Sequence, residues 1–261
     1  LMPPDAGNEQ ALGQVSVRDQ VSAEEWQLRV DLAACYRLIA QNGWDDAIYT
    51  HNTARVPGEG DHFLINPFGF KFSEITASSL VKIDCDGNKV MDSPHDFLLQ
   101  GFVVHSAIHM GREDAHCVVH THTLAGCAVA AQADGLLMTN QKSMMFYNRI
   151  GYHDFEGLAD DLEERDRMAQ SLGAHNALIL RNHGLLSVGE TVAEAYTTMR
   201  RLQDACEIQI AAQSGGGKLI MPSAATCEHT AHQFEIGRSS PEREWAAELR
   251  MLDAIDSSYQ H

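Results

Sequence analysis

Ala115-His116-Cys117-Val118-Val119-His120-Thr121-His122 is a short apolar run ending in two histidines spaced i, i+2. It reads as a buried strand, and residues two apart on a strand point to the same face. Both imidazoles can therefore reach one point in space. A second apolar run, Ala177-Leu178-Ile179-Leu180, leads into Arg181-Asn182-His183-Gly184, so His183 also leaves a strand tip, through a turn that Asn and Gly suit. Three imidazoles converging from two strand ends would make an open metal site with a coordination position free for water or substrate. With 14 histidines in the chain, an H-x-H pair alone is also compatible with ordinary hydrogen-bonded histidines; the matching position of His183 is what favours the metal site.

The remaining elements are read outward from these two runs. Ser22-Ala23-Glu24-Glu25 has the form of a capping box and opens a helix through Ala40, with Trp26, Val30, Ala33, Ala34, Arg37 and Leu38 near helical spacing, stopped by Asn42-Gly43. Strands are expected at Ile48–His51 and Phe63–Asn66, a turn at Asp86-Gly87-Asn88, and a helix over Phe97–Met110. The His120/His122 strand runs into a small-residue helix at 124–131. Residues 137–152 are expected to be irregular or strand, 157–172 an acidic helix, 185–189 a strand, 192–212 a long amphipathic helix and 242–255 a last helix. Many short strands with helices on either side give a mixed α/β sandwich. The expected organisation is a poorly ordered arm over 1–21, one domain over 22–213, and a linker with a C-terminal helix over 214–261.

The balance of 19 basic against 36 acidic residues gives a net charge of −17. Such a surface repels nucleic acid and anionic lipid, and excludes neither a metal nor an anionic small substrate. Six cysteines show no C-x-x-C pairing, as expected of buried thiols in a reduced cytoplasm. No apolar stretch has membrane-spanning length.

Five segments in the same order resemble the class II aldolase/adducin family: Arg37-Leu38-Ile39-Ala40-Gln41-Asn42-Gly43-Trp44, Leu64-Ile65-Asn66-Pro67-Phe68-Gly69, Ile83-Asp84-Cys85-Asp86-Gly87-Asn88, Val118-Val119-His120-Thr121-His122 and Leu180-Arg181-Asn182-His183-Gly184-Leu185. The resemblance implies a three-layer α/β/α sandwich around a mainly antiparallel sheet, often assembled as a homotetramer with sites between subunits. It also implies a divalent metal, usually zinc with manganese or iron as alternatives, on His120, His122 and His183.

The family's sugar-phosphate aldolases carry a Ser-Ser-Glu segment nineteen residues before the first metal histidine, with serines for the phosphate and a glutamate for proton transfer. Here that position is Gly101, preceded by Leu99-Gln100, and the phosphate turn reads Ile48-Tyr49-Thr50-His51. Glycine moves no proton and leucine holds no phosphate, so an ordinary phosphosugar aldolase is excluded. Gly101, His105 and His109 share a helix face. His105 is thereby a candidate acid/base near pH 7, against the plainer reading of a buried, hydrogen-bonded histidine. A glycine facing the metal would also leave room for a bulky substrate.

Asn66 and Gly69, on a loop that approaches substrate in relatives, are substrate-binding candidates, as are Gly101, Tyr147 and Arg181. A structural turn, ordinary packing and a salt bridge are the plainer readings for Asn66/Gly69, Tyr147 and Arg181. The Asp160–Glu164 run reads as a solvated helix face, and Tyr259 as a frayed tail or a residue crossing a subunit boundary.

Three functions follow. The first is a divalent-metal-dependent lyase, a decarboxylase or retro-aldol enzyme, acting on a small unphosphorylated oxygenated acid. The second is a non-catalytic adducin-like interaction module. The third is an oxygenase-type enzyme with a three-histidine iron centre.

Overall fold

The computed structural model describes residues 16–58, 60–157 and 162–261. In chain order the elements are α1 (Val17–Gln20), α2 (Ala23–Gln41), β1 (Asn52–Arg55), β2 (His62–Ile65), β3 (Val81–Asp84), α3 (Leu99–Gly111), β4 (Cys117–Thr121), α4 (Leu124–Ala130), α5 (Gln141–Met144), β5 (Gly151–His153), α6 (Leu162–Leu172), β6 (Ala177–Leu180), β7 (Gly184–Gly189), α7 (Val192–Ser214), α8 (Ala224–Gln233) and α9 (Pro241–Ile255).

Among the described residues seven strands form one sheet in the order β3-β2-β1-β4-β7-β6-β5. All neighbours are antiparallel except β5 and β6, as the mainly antiparallel expectation required. Strand alternation divides the sheet's side chains between two helical layers. Ala54, Cys117, Val119, Ile179 and Leu185 share a core with Leu32, Tyr36 and Ile39 of α2 and Met199 and Leu202 of α7. On the opposite face, Val118, Leu178, Leu186 and Val188 pack with Ile108 of α3 and Met168 and Leu172 of α6, while Phe63 and Ile65 meet Phe102 of α3. Each Val, Leu, Ile, Phe or Met side chain so taken from water contributes roughly 1.5–3 kcal/mol, so apolar content on both faces fixes three layers.

Local chemistry sets the helix ends. Ser22 Oγ accepts from the Glu25 N–H at 3.1 Å and caps α2. The Glu25 carboxylate does not close the expected reciprocal box. It is buried against Arg29 at 3.0 Å and Lys82 at 2.6 Å, because tying α2 to β3 satisfies an acid that the packing has removed from water. Asn42 and Gly43, the latter at φ +70°, end the helix as expected.

Several boundaries differ from the sequence reading. Residues 48–51 are not a strand: Asp46 and Tyr49 form an isolated bridge, Ala47 and Thr50 lie at φ +53° and +61°, and pairing begins only at Asn52. Two residues in left-handed backbone break the extended run that their side chains suggested. Within 137–152 lie a helical turn, α5, and β5. Residues 17–20 of the expected arm are helical, and the arm's residues 1–15 lie outside the described residues. The stretch read as a linker contains α8, whose Cys227 and Ala231 are buried. Tyr259 is not frayed but buried, its carbonyl accepting from Ala77 N–H at 2.8 Å and its hydroxyl donating to Asp253 at 2.6 Å. Asp160 and Asp161 of the acidic run lie outside the described residues. Among the described residues no helix is long and apolar enough to cross a membrane.

Candidate metal centre

His120 and His122 emerge from the end of β4, and His183 from the turn between β6 and β7, which are paired beside it. Asn182 takes φ +57° in that turn. Gly184 follows because a Cβ there would lie 2.4 Å from the Thr121 carbonyl oxygen, so only glycine lets the two strand ends close together. One nitrogen from each of His120, His122 and His183 lies within 4.8 Å of the others. His122 Nε2 is 2.9 Å from His120 Nε2 and 2.8 Å from His183 Nε2.

The outer nitrogens decide what these contacts are. His120 Nδ1 lies 2.8 Å from the Leu185 carbonyl oxygen, and His122 Nδ1 lies 3.0 Å from Asp46 Oδ2. Neither oxygen donates, so the hydrogen-bond network puts the proton of each neutral ring on Nδ1. His120 Nε2 and His122 Nε2 then face each other as bare lone pairs. Such a pair at 2.9 Å repels unless a cation lies between, and the donor set fits a divalent metal in an open three-imidazole site. Burial, then the neighbouring His183 and His122 imidazoles, holds His120 well below the usual histidine range. Burial and then His122 push His183 down to about 4. Neutral rings are the form a metal requires. Asp46 behind His122 is the carboxylate–histidine arrangement that fixes tautomer and ring orientation.

Behind this centre, on the α3 side of the sheet, lies a second group of histidines. The His51 ring centroid is 4.1 Å from that of His105 and 6.1 Å from that of His120. Thr53 Oγ1 is 2.7 Å from both His105 Nδ1 and His109 Nε2. His109 Nδ1 is 2.6 Å from the Ala115 carbonyl oxygen. Among the described residues no side-chain hydrogen bond reaches either His51 nitrogen or His105 Nε2, although all three atoms are buried, and the Gly101 backbone carbonyl is the acceptor beside the His51 ring. Burial is the main cause that pushes His51 down to about 4 and His109 to about 3, and puts His105 well below its usual range.

Gly101 does not leave room for a bulky substrate. A Cβ there would lie 2.4 Å from His51 Cε1 and 2.6 Å from His51 Nδ1, so the imidazole of His51 already fills that volume. His105 is fully buried behind His51 with Nδ1 held by Thr53. Asn66 is buried, its Oδ1 2.8 Å from the Tyr36 hydroxyl; that hydroxyl accepts from Asn52 N–H, and Asn52 Oδ1 accepts from His120 N–H. Asn66 thus reaches the centre only through two other residues. Gly69 is in an exposed turn at φ +90°. Tyr147 is half-buried just after α5. The Arg181 guanidinium stacks over Tyr152 at 4.7 Å, pairs with Asp154 at 3.3 Å and reaches the Gln132 and Ala133 carbonyls, which favours the salt-bridge reading.

Asp46, His51 and Thr53 escaped the sequence reading. Asp46 belongs to no motif. His51 had one signal, an imidazole two residues before Thr53 and so on the same face of the chain as β1 begins, but its partners lie some fifty positions away.

The profile of the Class II Aldolase and Adducin N-terminal domain matches residues 30–210. The chain is 50% identical over 249 residues to "Putative aldolase class 2 protein" of Pseudomonas aeruginosa, covering 94% of this chain and 96% of that one. It is 41% identical over 244 residues to alpha-adducin of Rattus norvegicus, covering 87% of this chain and 33% of adducin. Among solved structures, an aldolase II superfamily protein from Pseudomonas syringae superposes with a TM-score of 0.90 at 48% identity, covering 94% of this chain and all of that one.

Proposed function

The chain belongs to the class II aldolase and adducin family, and from that premise we propose that it is a divalent-metal-dependent lyase cleaving a carbon–carbon bond in a small unphosphorylated oxygenated acid. The observation that carries this reading is the convergence of three Nε2 atoms, two of them with the outer nitrogen committed to an acceptor. His120, His122 and His183 would hold the metal, with zinc the first expectation and manganese or iron the alternatives. When bound, the metal supplies a Lewis acid for the charge left on oxygen after the bond breaks.

The chain's own residues do the rest. The Leu185 carbonyl and Asp46 hold two ligand rings in one tautomer and orientation. Burial keeps His120 neutral and ready to bind. The loop over 45–51 and helix α3 contain no Lys or Arg, which supports an unphosphorylated substrate, since a phosphate dianion demands cationic or dense N–H partners. Decarboxylation remains attractive because it generates a carbanion without removing a carbon-bound proton. A retro-aldol cleavage needs a hydroxyl proton taken instead.

Subunit association fits the exposed apolar residues around the centre. Leu124, 89% exposed, follows His122 by two positions, and the half-exposed Phe155 ring lies 6.4 Å from His183. Covering such residues with a second subunit is an ordinary use of exposed apolar surface. A homotetramer is the expected size, to be checked by light scattering on the eluting protein.

Similarity to alpha-adducin favours a second reading, a non-catalytic interaction module. Elemental analysis of purified protein separates the two, followed by a screen for carbon dioxide or pyruvate release from hydroxy-, keto- and aromatic acids with and without phosphate. Stoichiometric metal with metal-dependent turnover supports the lyase. Protein that purifies without metal and takes up none supports the module. Iron with oxygen uptake would point to the oxygenase-type alternative.

A further inference from the structure

The hydrogen-bond directions behind the metal centre can be followed from one fixed end. The Ala115 carbonyl only accepts, so His109 Nδ1 carries the proton of its neutral ring, and His109 Nε2 is an acceptor. Thr53 must then donate its single hydroxyl proton to His109 Nε2. Its oxygen is left to accept from His105, which places the His105 proton on Nδ1. His105 Nε2 is therefore a bare lone pair, buried and without a partner. A β-strand hydroxyl and two helix imidazoles one turn apart make this chain possible. Thr53 points from β1 to the α3 layer, and His105 and His109 lie on the same stripe of α3.

His51 closes the outer end. Its ring lies against His105, its volume is the one that a side chain on residue 101 would have taken, and it stands between α3 and the His120 side of the centre. A neutral imidazole has one N–H and one lone pair. That N–H has two acceptors beside it, His105 Nε2 and the Gly101 backbone carbonyl, and giving it to either commits one His51 nitrogen as the donor. The remaining His51 nitrogen is then necessarily an acceptor. Leaving a buried polar atom unmet is costly, and native sites that keep one are commonly completed by a ligand or an ordered water. Backbone strain agrees: Thr50, directly before His51, is a β-branched residue at φ +61°, a conformation that persists where surrounding structure imposes it, often at functional sites.

We infer that His51 contacts the substrate, its free ring nitrogen accepting a hydrogen bond from a substrate hydroxyl, and that His105, held through Thr53 and His109, is a positioning residue against which the His51 ring packs. The inference rests on the lyase reading above and sharpens its substrate class. The acid carries a hydroxyl group able to donate, and not an ether, a second carboxylate or a phosphate at that place, because a lone pair repels an anion. Asn52 lies on the other face: Thr53, next to it on β1, faces α3, whereas Asn52 lies on the α2 side with Ala54.

The test uses the full chain loaded with zinc and two small acids, glycolate and methoxyacetate, titrated by calorimetry. Both offer a carboxylate, and only glycolate can donate a hydroxyl proton. Wild-type protein is expected to prefer glycolate by about ten-fold or more, the value of one good hydrogen bond. His51→Ala should retain its zinc and lose most of that preference. His51→Gln, which keeps a side-chain acceptor, should recover part of it and guards against a folding defect in the alanine variant. Thr53→Val should lower the preference with zinc content unchanged, and long-range 1H–15N spectra should show His105 released from the Nδ1–H tautomer. A glycolate preference that is the same in His51→Ala as in wild type overturns the inference and leaves the lyase reading standing. Failure of zinc-loaded wild-type protein to bind either acid overturns the reading itself, and the inference with it.

Discussion

Gly101 and His51 occupy each other's space: a Cβ on the glycine would lie 2.4 Å from the imidazole carbon Cε1. The glycine on α3 and the histidine before β1 are thus one feature, in which a side chain from the loop replaces a side chain from the helix.

Gly101→Ala tests this directly. In an exposed helix the change stabilises by roughly 0.5–1 kcal/mol; here it should instead destabilise by about 1–3 kcal/mol through overpacking. Combined with His51→Ala, the same substitution should become neutral or stabilising, giving a clear coupling in a double-mutant cycle read by urea denaturation. Equal effects of Gly101→Ala in the two backgrounds would mean that the ring is not held there.

His122→Ala should abolish metal binding and any metal-dependent turnover while the chain stays folded. His122 is the ring both other nitrogens approach, and its side chain is about a quarter exposed rather than core. Elemental analysis and a melting curve check the two halves of this expectation. Chelation of the wild-type protein should lower its melting temperature, since a ligand present at a hundred times its Kd stabilises by about 2.7 kcal/mol.

Asp46→Ala should weaken metal binding by roughly 10–100-fold, the usual cost of losing the carboxylate behind a ligating histidine, without removing it. Asp46→Asn should do less harm, because an amide oxygen can still accept from His122 Nδ1. Competition with a chromophoric chelator measures both. An unchanged affinity in Asp46→Ala would show that the Asp46 contact does not orient the ring.

Stability should fall in acid even without metal. His51 and His109 sit at about 4 and about 3 in the folded protein, below the ordinary histidine value, chiefly because burial disfavours the charged ring. The unfolded chain therefore binds more protons than the folded one between about pH 6.5 and the folded values. Their contribution is complete above about 6.5 and is lost as pH drops through that window. Denaturation of chelator-treated protein across pH 7.5 to 4 should show this slope, and His109→Gln should flatten it. A stability independent of pH over that range would contradict neutral burial of these rings.

The metal triad was legible because each part of it is local. Two histidines spaced i, i+2 on a strand share a face whatever surrounds them, and Asn182-Gly184 chemistry turns the chain at the second strand end. The Gly101 position was legible only as an absence, and the room it implied was misread because the occupant comes from a different part of the chain. The strand expected at Ile48–His51 failed for a related reason: its residues suit a strand, but Ala47 and Thr50 lie in left-handed backbone, and along this bent stretch Asp46 meets His122 and His51 meets His105.

By itself the sequence determined the apolar periodicities, the helix ends and the shared face of His120 and His122, since all of these depend on short-range geometry that backbone sterics impose. Only the tertiary structure decided the tautomers and the side chain filling the space beside Gly101. Those depend on which carbonyl, hydroxyl or carboxylate is brought within 3 Å of a ring nitrogen across fifty or more residues of chain, and spacing along the chain does not encode that choice.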